Sequence, residues 1–362
     1  MTILDRYLGS RILSTLVKTI VSLLLLFVLI DLLTHRRDDI LKHEVPWHAV
    51  LRYYLAMTPR LLYAYQIAAL SMLVSALLVL GAAAQRNEVT AALAGGVGLR
   101  RLARTPILIA AALALAVFAM QETIGVRANR EVERLDAQYF PESGRNKRPG
   151  VSWAGLQGGW TCHVMKFNRI ALTGENVFMH AIRPGIVEQI QAHRIFWEPA
   201  EGKWLLEDGR WFVFNTDKDW QGEVQRITQS AAPITQAPEL LFALERIPDT
   251  KTVGQLAADI RRAHRHGIPV RGHWADLHAK FAIPALSFVM IWLAIPFAMR
   301  LRRGGLAIGF GVSIVIALTY LMLFRVTMGL GHIERLSPAV AAWSANLAFL
   351  AFGLALFRKT PT

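Results

Sequence analysis

The chain of 362 residues is poor in the groups that do covalent, redox or metal chemistry. Its one cysteine, Cys162, leaves no intramolecular disulfide, so any domain facing an oxidising compartment needs a core of its own. No phosphate-binding G-x-x-x-x-G-K-[ST] loop occurs. Gly95-Gly-Val-Gly98 is glycine-rich but follows a helical pattern rather than a strand, so it reads as a helix break in a loop. His264 and His266 sit two apart on a helical pattern and point to different faces, which is unsuited to a metal pair. Glu122 is a candidate protease-like carboxylate at the end of an apolar run, but no second carboxylate matches it in depth. Acid is also scarce, with 26 Asp and Glu against 40 Lys and Arg. No catalytic constellation stands out, so the chain carries no chemical engine of its own.

Apolar length is what the chain does have. Hydrophobic residues make up 54% of it, above the roughly 45–50% of soluble domains. Six runs stand out: Ile12–Leu33, Leu61–Gln85, Thr105–Gln121, Phe281–Met299, Gly304–Phe324 and Leu336–Phe357. All but the first lack charge, and each suits a spanning helix of roughly 17–25 residues. The first carries Lys18 and Asp31, which can reach the two headgroup layers. A secretory signal peptide is the competing reading of that run, but no small-residue cleavage site follows it.

Basic residues set the orientation. Arg6, Arg11, the loop bearing Arg86, Arg100, Arg101 and Arg104, the loop bearing Arg300, Arg302 and Arg303, and the ending Arg358-Lys359 all fall on one side of a six-span chain. Both termini are therefore expected in the cytoplasm. The net charge of +14 is partly topological, so it does not point to nucleic acid.

A domain is inserted between spans three and four. Arg127–Tyr139 continues the third span as a helix, and Pro141-Glu-Ser-Gly144 breaks it. Short strands are expected at Val151–Leu156, Thr161–Phe167, Val177–Ile182, Val187–Trp197, Trp204–Leu206, Trp211–Phe214 and Glu223–Thr228. Turns are expected at Gly158-Gly159, Pro184-Gly185, Glu201-Gly202 and Asp208-Gly209. A helix over Thr252–His266 follows. The expected fold is a membrane α-helical bundle of six transmembrane helices with an inserted, periplasmic, all-β jelly-roll-like domain. Residues 1–125 hold spans one to three with a cytoplasmic loop at 83–104. Residues 126–272 form the β domain with flanking helices, and residues 273–362 hold spans four to six.

Several segments together resemble a known family. They are Ile3-Leu-Asp-Arg-Tyr-Leu8; Gln85-Arg-Asn-Glu88 followed by Ala94-Gly-Gly-Val-Gly98; Trp274–Pro284 with His278-Ala-Lys280; Arg300-Leu-Arg-Arg-Gly-Gly305; and Leu336-Ser-Pro-Ala-Val-Ala-Ala-Trp343. In order and spacing they are similar to the lipopolysaccharide-export permeases LptF/LptG (YjgP/YjgQ). The Leu-Asp-Arg-Tyr start and Lys280 lie nearer the LptG-like branch. The sequence departs from the pattern near the end of span one, where some relatives carry a lysine and here His35, Arg36 and Arg37 come slightly later.

The resemblance implies a permease subunit that pairs with an LptF/LptG-type paralogue. A cytoplasmic LptB-like ATPase dimer, which binds the ATP, would drive it, so the chain needs no cofactor and is not itself an enzyme. Lipopolysaccharide would leave the outer leaflet of the inner membrane and pass to periplasmic LptC/LptA-like jelly-roll proteins. A short helix within Ala83–Gly98, ended by Gly95 and Gly98, would meet the ATPase through Glu88, framed by Arg86 and Arg100. Cations at the outer end of the spans suit lipid phosphates: Arg36, Arg37, Arg60, Lys280 and Arg325, above an apolar wall of Leu25, Leu29, Leu33, Tyr320 and Phe324. The interior of the β domain, with Trp153, Phe178 and Trp211, is a candidate acyl path. A transporter of another envelope lipid or lipoprotein, or a non-transporting scaffold or intramembrane protease, would share this architecture.

Overall fold

The structure is a computed structural model that describes residues 3–140, 151–168, 171–215, 221–238, 241, 248–265, 270–300 and 305–359. Pro141-Glu-Ser-Gly144, His266, Arg302 and Arg303 lie outside the described residues. The chain divides into two compact units. One is helical (1–140, 248–254 and 271–362), and the other holds the strands (141–247 and 255–270).

In the helical unit α1 (Ile3–Asp31) runs into a π-helical turn, Leu32–Arg36, and a short α2 (Arg37–Lys42). Then come α3 (Trp47–Tyr63), α4 (Ile67–Gln85), α5 (Glu88–Ala94) and α6 (Leu99–Met120). A second π-turn, Gln121–Gly125, leads into α7 (Val126–Tyr139). After the strands come α8 (Val253–Arg265), which from Gln255 on belongs to the unit of the strands, and then α9 (Arg271–Arg300), α10 (Gly305–His332) and α11 (Pro338–Arg358). Among the described residues, six helices are long and apolar enough to cross a membrane: those containing α1, α4, α6, α9, α10 and α11. Helix α9 packs on α4, α6 and α11, while α4 is flanked by α1 and α10. Close approach of α9 and α11 depends on Gly353, where an added Cβ would stand 3.0 Å from the Trp292 backbone.

The second span is shorter than the apolar run suggests. Leu61–Tyr63 belong to α3, and Gln66, with φ 61°, turns the chain before α4 begins. Helix α3 is amphipathic. Its Tyr53, Tyr54, Met57 and Leu61 pack with Val132, Leu135 and Phe140 in a separate apolar cluster. Helix α3 thus lies against α7.

The other unit contains one six-stranded antiparallel sheet in consecutive order. Its strands are β1 (Val151–Leu156), β2 (Trp160–Asn168), β3 (Thr173–Arg183), β4 (Ile186–Glu198), β5 (Lys203–Asn215) and β6 (Gln221–Ala231). The inserted all-β domain is therefore present. Its strands follow as a meander rather than in the Greek-key order of a double-sheet jelly roll. Glycines at positive φ turn the first, third and fourth connections at Gly158-Gly159, Gly185 and Gly202. Asp208-Gly209 is not a turn, because β5 runs straight through it and joins the two strands expected there.

The sheet carries a crease at that point. Pairing skips Met165, Asn176, His193, Asp208 and Thr228, which lie side by side on β2 to β6, and resumes in the same register beyond them. Asn176 and Asp208 adopt positive φ, 55° and 48°. The inward alternation steps by three instead of two across this row: Gly174 to Val177, Ala192 to Ile195, Leu206 to Gly209. Both halves of each strand therefore keep their apolar side toward one core. That core is filled. Trp153 and Trp204 are 5.5 Å apart between ring centroids, and Phe167 and Trp197 pack on Trp204. Phe178 points to the other face and is exposed, so it is not part of the expected acyl path.

Trp204 is fully enclosed and its indole N–H donates to the Gln236 carbonyl at 3.0 Å. Trp204→Ala should cost about 3–5 kcal/mol of the sheet's stability. Cys162 supplies the readout. It is fully buried, and burial pushes its thiol up to about 12, so little of the reactive thiolate forms near neutral pH. Maleimide labelling of Cys162 should be negligible in the native protein and fast in the Trp204 variant.

Candidate functional site

Two π-turns, one after α1 and one after α6, organise the buried charges of the helical unit. In the first, Arg36 turns inward and is buried. Its guanidinium lies 2.9 Å from Asp136 and 3.8 Å from Asp31, and donates to the Tyr53 hydroxyl. It also covers the rings of Tyr53 and Phe140 at 4.6 and 4.7 Å. The Tyr54 hydroxyl donates to Asp31 at 3.0 Å. Burial, and then the Asp31 charge, push the Tyr54 phenol up, which keeps it a donor.

The second π-turn carries Glu122. Its carboxylate accepts the Val253 backbone N–H at 2.7 Å and the buried Lys280 ammonium at 3.4 Å. Gln121 adds a bond to the Lys280 carbonyl at 3.3 Å. Arg60, also buried, reaches Asp249 at 3.4 Å, and Asn129 on α7 donates to the Asp249 carbonyl at 2.7 Å. Glu122 therefore anchors Lys280 and the first residue of α8.

The five cations expected at the outer ends of the spans thus separate into two groups. Arg36, Arg60 and Lys280 are buried and paired within the chain. Arg37 and Arg325 are exposed. Arg325 shares its face of α10 with Leu318, Met322 and Val326, all more than half exposed. Tyr320 and Phe324 are not on that face. They are buried, their rings stack at 5.9 Å, and the Tyr320 hydroxyl donates to Asn346 at 2.7 Å. Asn346 in turn donates to the Ala282 carbonyl at 2.7 Å, joining α10, α11 and α9. On α1 the apolar residues Leu25, Leu29 and Leu33 are exposed as expected. Helices α1 and α10 therefore present bare apolar faces on either side of α4.

At the opposite end of the spans, α5 forms within Ala83–Gly98. Asn87, at φ 57°, starts it, Gly95 follows its last turn, and Gly96, at φ 83°, ends it. Gly98 is extended and opens α6. Arg86 and Arg100 are exposed. Glu88 sits among groups of its own chain: the Tyr7 hydroxyl at 3.4 Å, Arg86 at 3.9 Å and Arg11 at 4.0 Å. Sequence reasoning missed Tyr7 and Arg11 as its partners. Their i, i+4 spacing on α1 was the available signal.

The family model described as "Lipopolysaccharide export system permease LptF/LptG" matches residues 6–359. The chain belongs to this LptF/LptG family. Among curated proteins, none matches it. As a family member it is a multi-pass inner-membrane permease of lipopolysaccharide export, and the match takes in all six span-capable helices, α5 and the whole sheet. For this LptF/LptG permease, Glu122 is a structural anion, since its carboxylate is engaged by Lys280 and by the Val253 amide.

Removing one partner of a buried pair strands the other. Asp136→Ala should therefore destabilise the helical unit by about 3–5 kcal/mol. The double variant Arg36→Met, Asp136→Leu should recover most of the loss. Thermal unfolding in detergent checks both.

Proposed function

We propose that the permease is a subunit of an ATP-driven exporter that lifts lipopolysaccharide from the outer leaflet of the inner membrane and delivers it to a periplasmic bridge. It works with an LptF/LptG-type paralogue, an LptB-like ATPase dimer and LptC/LptA-like jelly-roll proteins. Both termini and α5 lie in the cytoplasm, and the sheet lies in the periplasm. The family match over nearly the whole chain carries this reading. Arg325 supports it. From Gly305, α10 climbs 1.5 Å per residue, so Arg325 stands about 30 Å up, near the far edge of a hydrocarbon layer of similar thickness. A guanidinium above an exposed apolar face is the combination that a phosphorylated, acylated lipid requires. Arg37, exposed beyond the end of α1, is the second cation of this kind. Tyr320 and Phe324 stiffen α10 from behind and do not touch the lipid. The interior of the sheet is a closed core, and any acyl chain it passes would displace Trp153 or Trp211.

Arg325→Glu should reduce photo-crosslinking to lipopolysaccharide severalfold while the complex with the ATPase stays intact. Unchanged crosslinking and export would remove Arg325 from the site.

Glu88→Lys would set a lysine among Arg11 and Arg86, displacing α5. Co-purification of the ATPase should fall while membrane insertion stays normal. Reporters after Arg358 and within the sheet should read cytoplasm and periplasm respectively.

A further inference from the structure

A cavity of about 400 Å³ opens between the first half of α1 and the last half of α4. Its volume falls within the range of small-ligand sites, roughly 300–1,000 Å³. Ser10, Arg11, Ser14, Thr15 and Lys18 of α1 line one wall, and Leu78, Val79 and Ala82 of α4 line the other. The five polar residues form one stripe at helical spacing over about 12 Å of helix. The α4 wall brings no charge to balance it. Lys18 lies inside a span-capable helix and makes no ion pair or hydrogen bond with the described residues. An unpaired ammonium at that depth is costly unless a ligand or water meets it. Arg11 lies over the Tyr7 ring at 4.4 Å and only loosely against Glu88, at 4.0 Å, and so leaves donors free. Below the stripe Val17 and Val21 are exposed and suit an acyl chain.

We propose that this cavity binds the headgroup of an anionic glycerophospholipid. Arg11 and Lys18 meet the phosphodiester, the hydroxyls of Ser10, Ser14 and Thr15 donate to its oxygens, and the acyl chains lie along Val17 and Val21. The site is distinct from Arg37 and Arg325, which lie at the other end of the spans. It requires only that the chain spans a membrane, and so stands apart from the export reading.

The test is native mass spectrometry of the full-length permease in mild detergent with added phosphatidylglycerol or phosphatidylethanolamine. Phosphatidylglycerol adducts should persist at higher collision energy than phosphatidylethanolamine adducts. Lys18→Gln should lower phosphatidylglycerol occupancy about fivefold, and Ser14→Ala should lower it less. Arg358→Gln, an exposed cation elsewhere, should leave it unchanged. Equal retention of the two lipids, or full occupancy in the Lys18 variant, overturns the proposal. Displacement by inorganic phosphate at low millimolar concentration makes this a free-anion site. Displacement by diphosphoryl lipid A makes it part of the substrate path. Either result also overturns the proposal. Loss of lipopolysaccharide export with phosphatidylglycerol occupancy intact would bear on the export reading alone.

Discussion

A charge in apolar surroundings needs a counter-charge, and the helical unit is arranged around that need. Arg36 and Lys280 could not be buried without Asp136, Asp31 and Glu122 beside them. Two of these groups, Arg36 and Glu122, sit on π-turns at the ends of apolar helices. A π-turn inserts one residue and so rotates the following side chains by about 100°. A helix that has presented apolar groups along its length can thus aim a charge inward at its end. Gly125 makes the second turn possible, since a Cβ there would stand 3.2 Å from both the Met120 carbonyl and the Tyr63 ring.

These pairs divide the molecule's cations into structural and available ones, and they also set what α1 can do. Near its start, Tyr7 and Arg11 approach Glu88, the first residue of α5. Just past its end, Arg36 is locked to α3 and α7. These clamps sit near the two ends of an unbroken helix of 29 residues, about 43 Å long. Most of its middle is exposed and apolar.

The six spans were legible because charge-free runs of that length have few other uses. The short helix before Gly95 was legible from its glycines. Helix α3 was not, because Leu61–Tyr63 merge with the apolar start of α4, and only the left-handed Gln66 parts them. The pairing of the cations was hidden for a different reason. Position along a span gives depth but not the face of the helix, so Arg36, Arg60 and Lys280 looked like Arg325 although their acids, Asp136, Asp249 and Glu122, lie far away in sequence. The burial of Tyr320 and Phe324 was not legible either, since an all-apolar helix has no pattern to mark its inner side. In the sheet, strand positions were readable from Val, Ile and Trp, but the three-residue step at Asp208 imitated a turn.

The crease has a consequence for how this sheet can change over evolutionary time. Every strand from β2 to β6 shifts phase at the same row. Losing or gaining one residue between that row and a strand's end would turn that half-strand inside out, placing Trp or Ile in water and Glu or Arg in the core. The shift would also fall out of line with four neighbours that cannot follow. Half-strand lengths are therefore frozen together, and the hairpin loops are left as the places where the chain can grow or shrink.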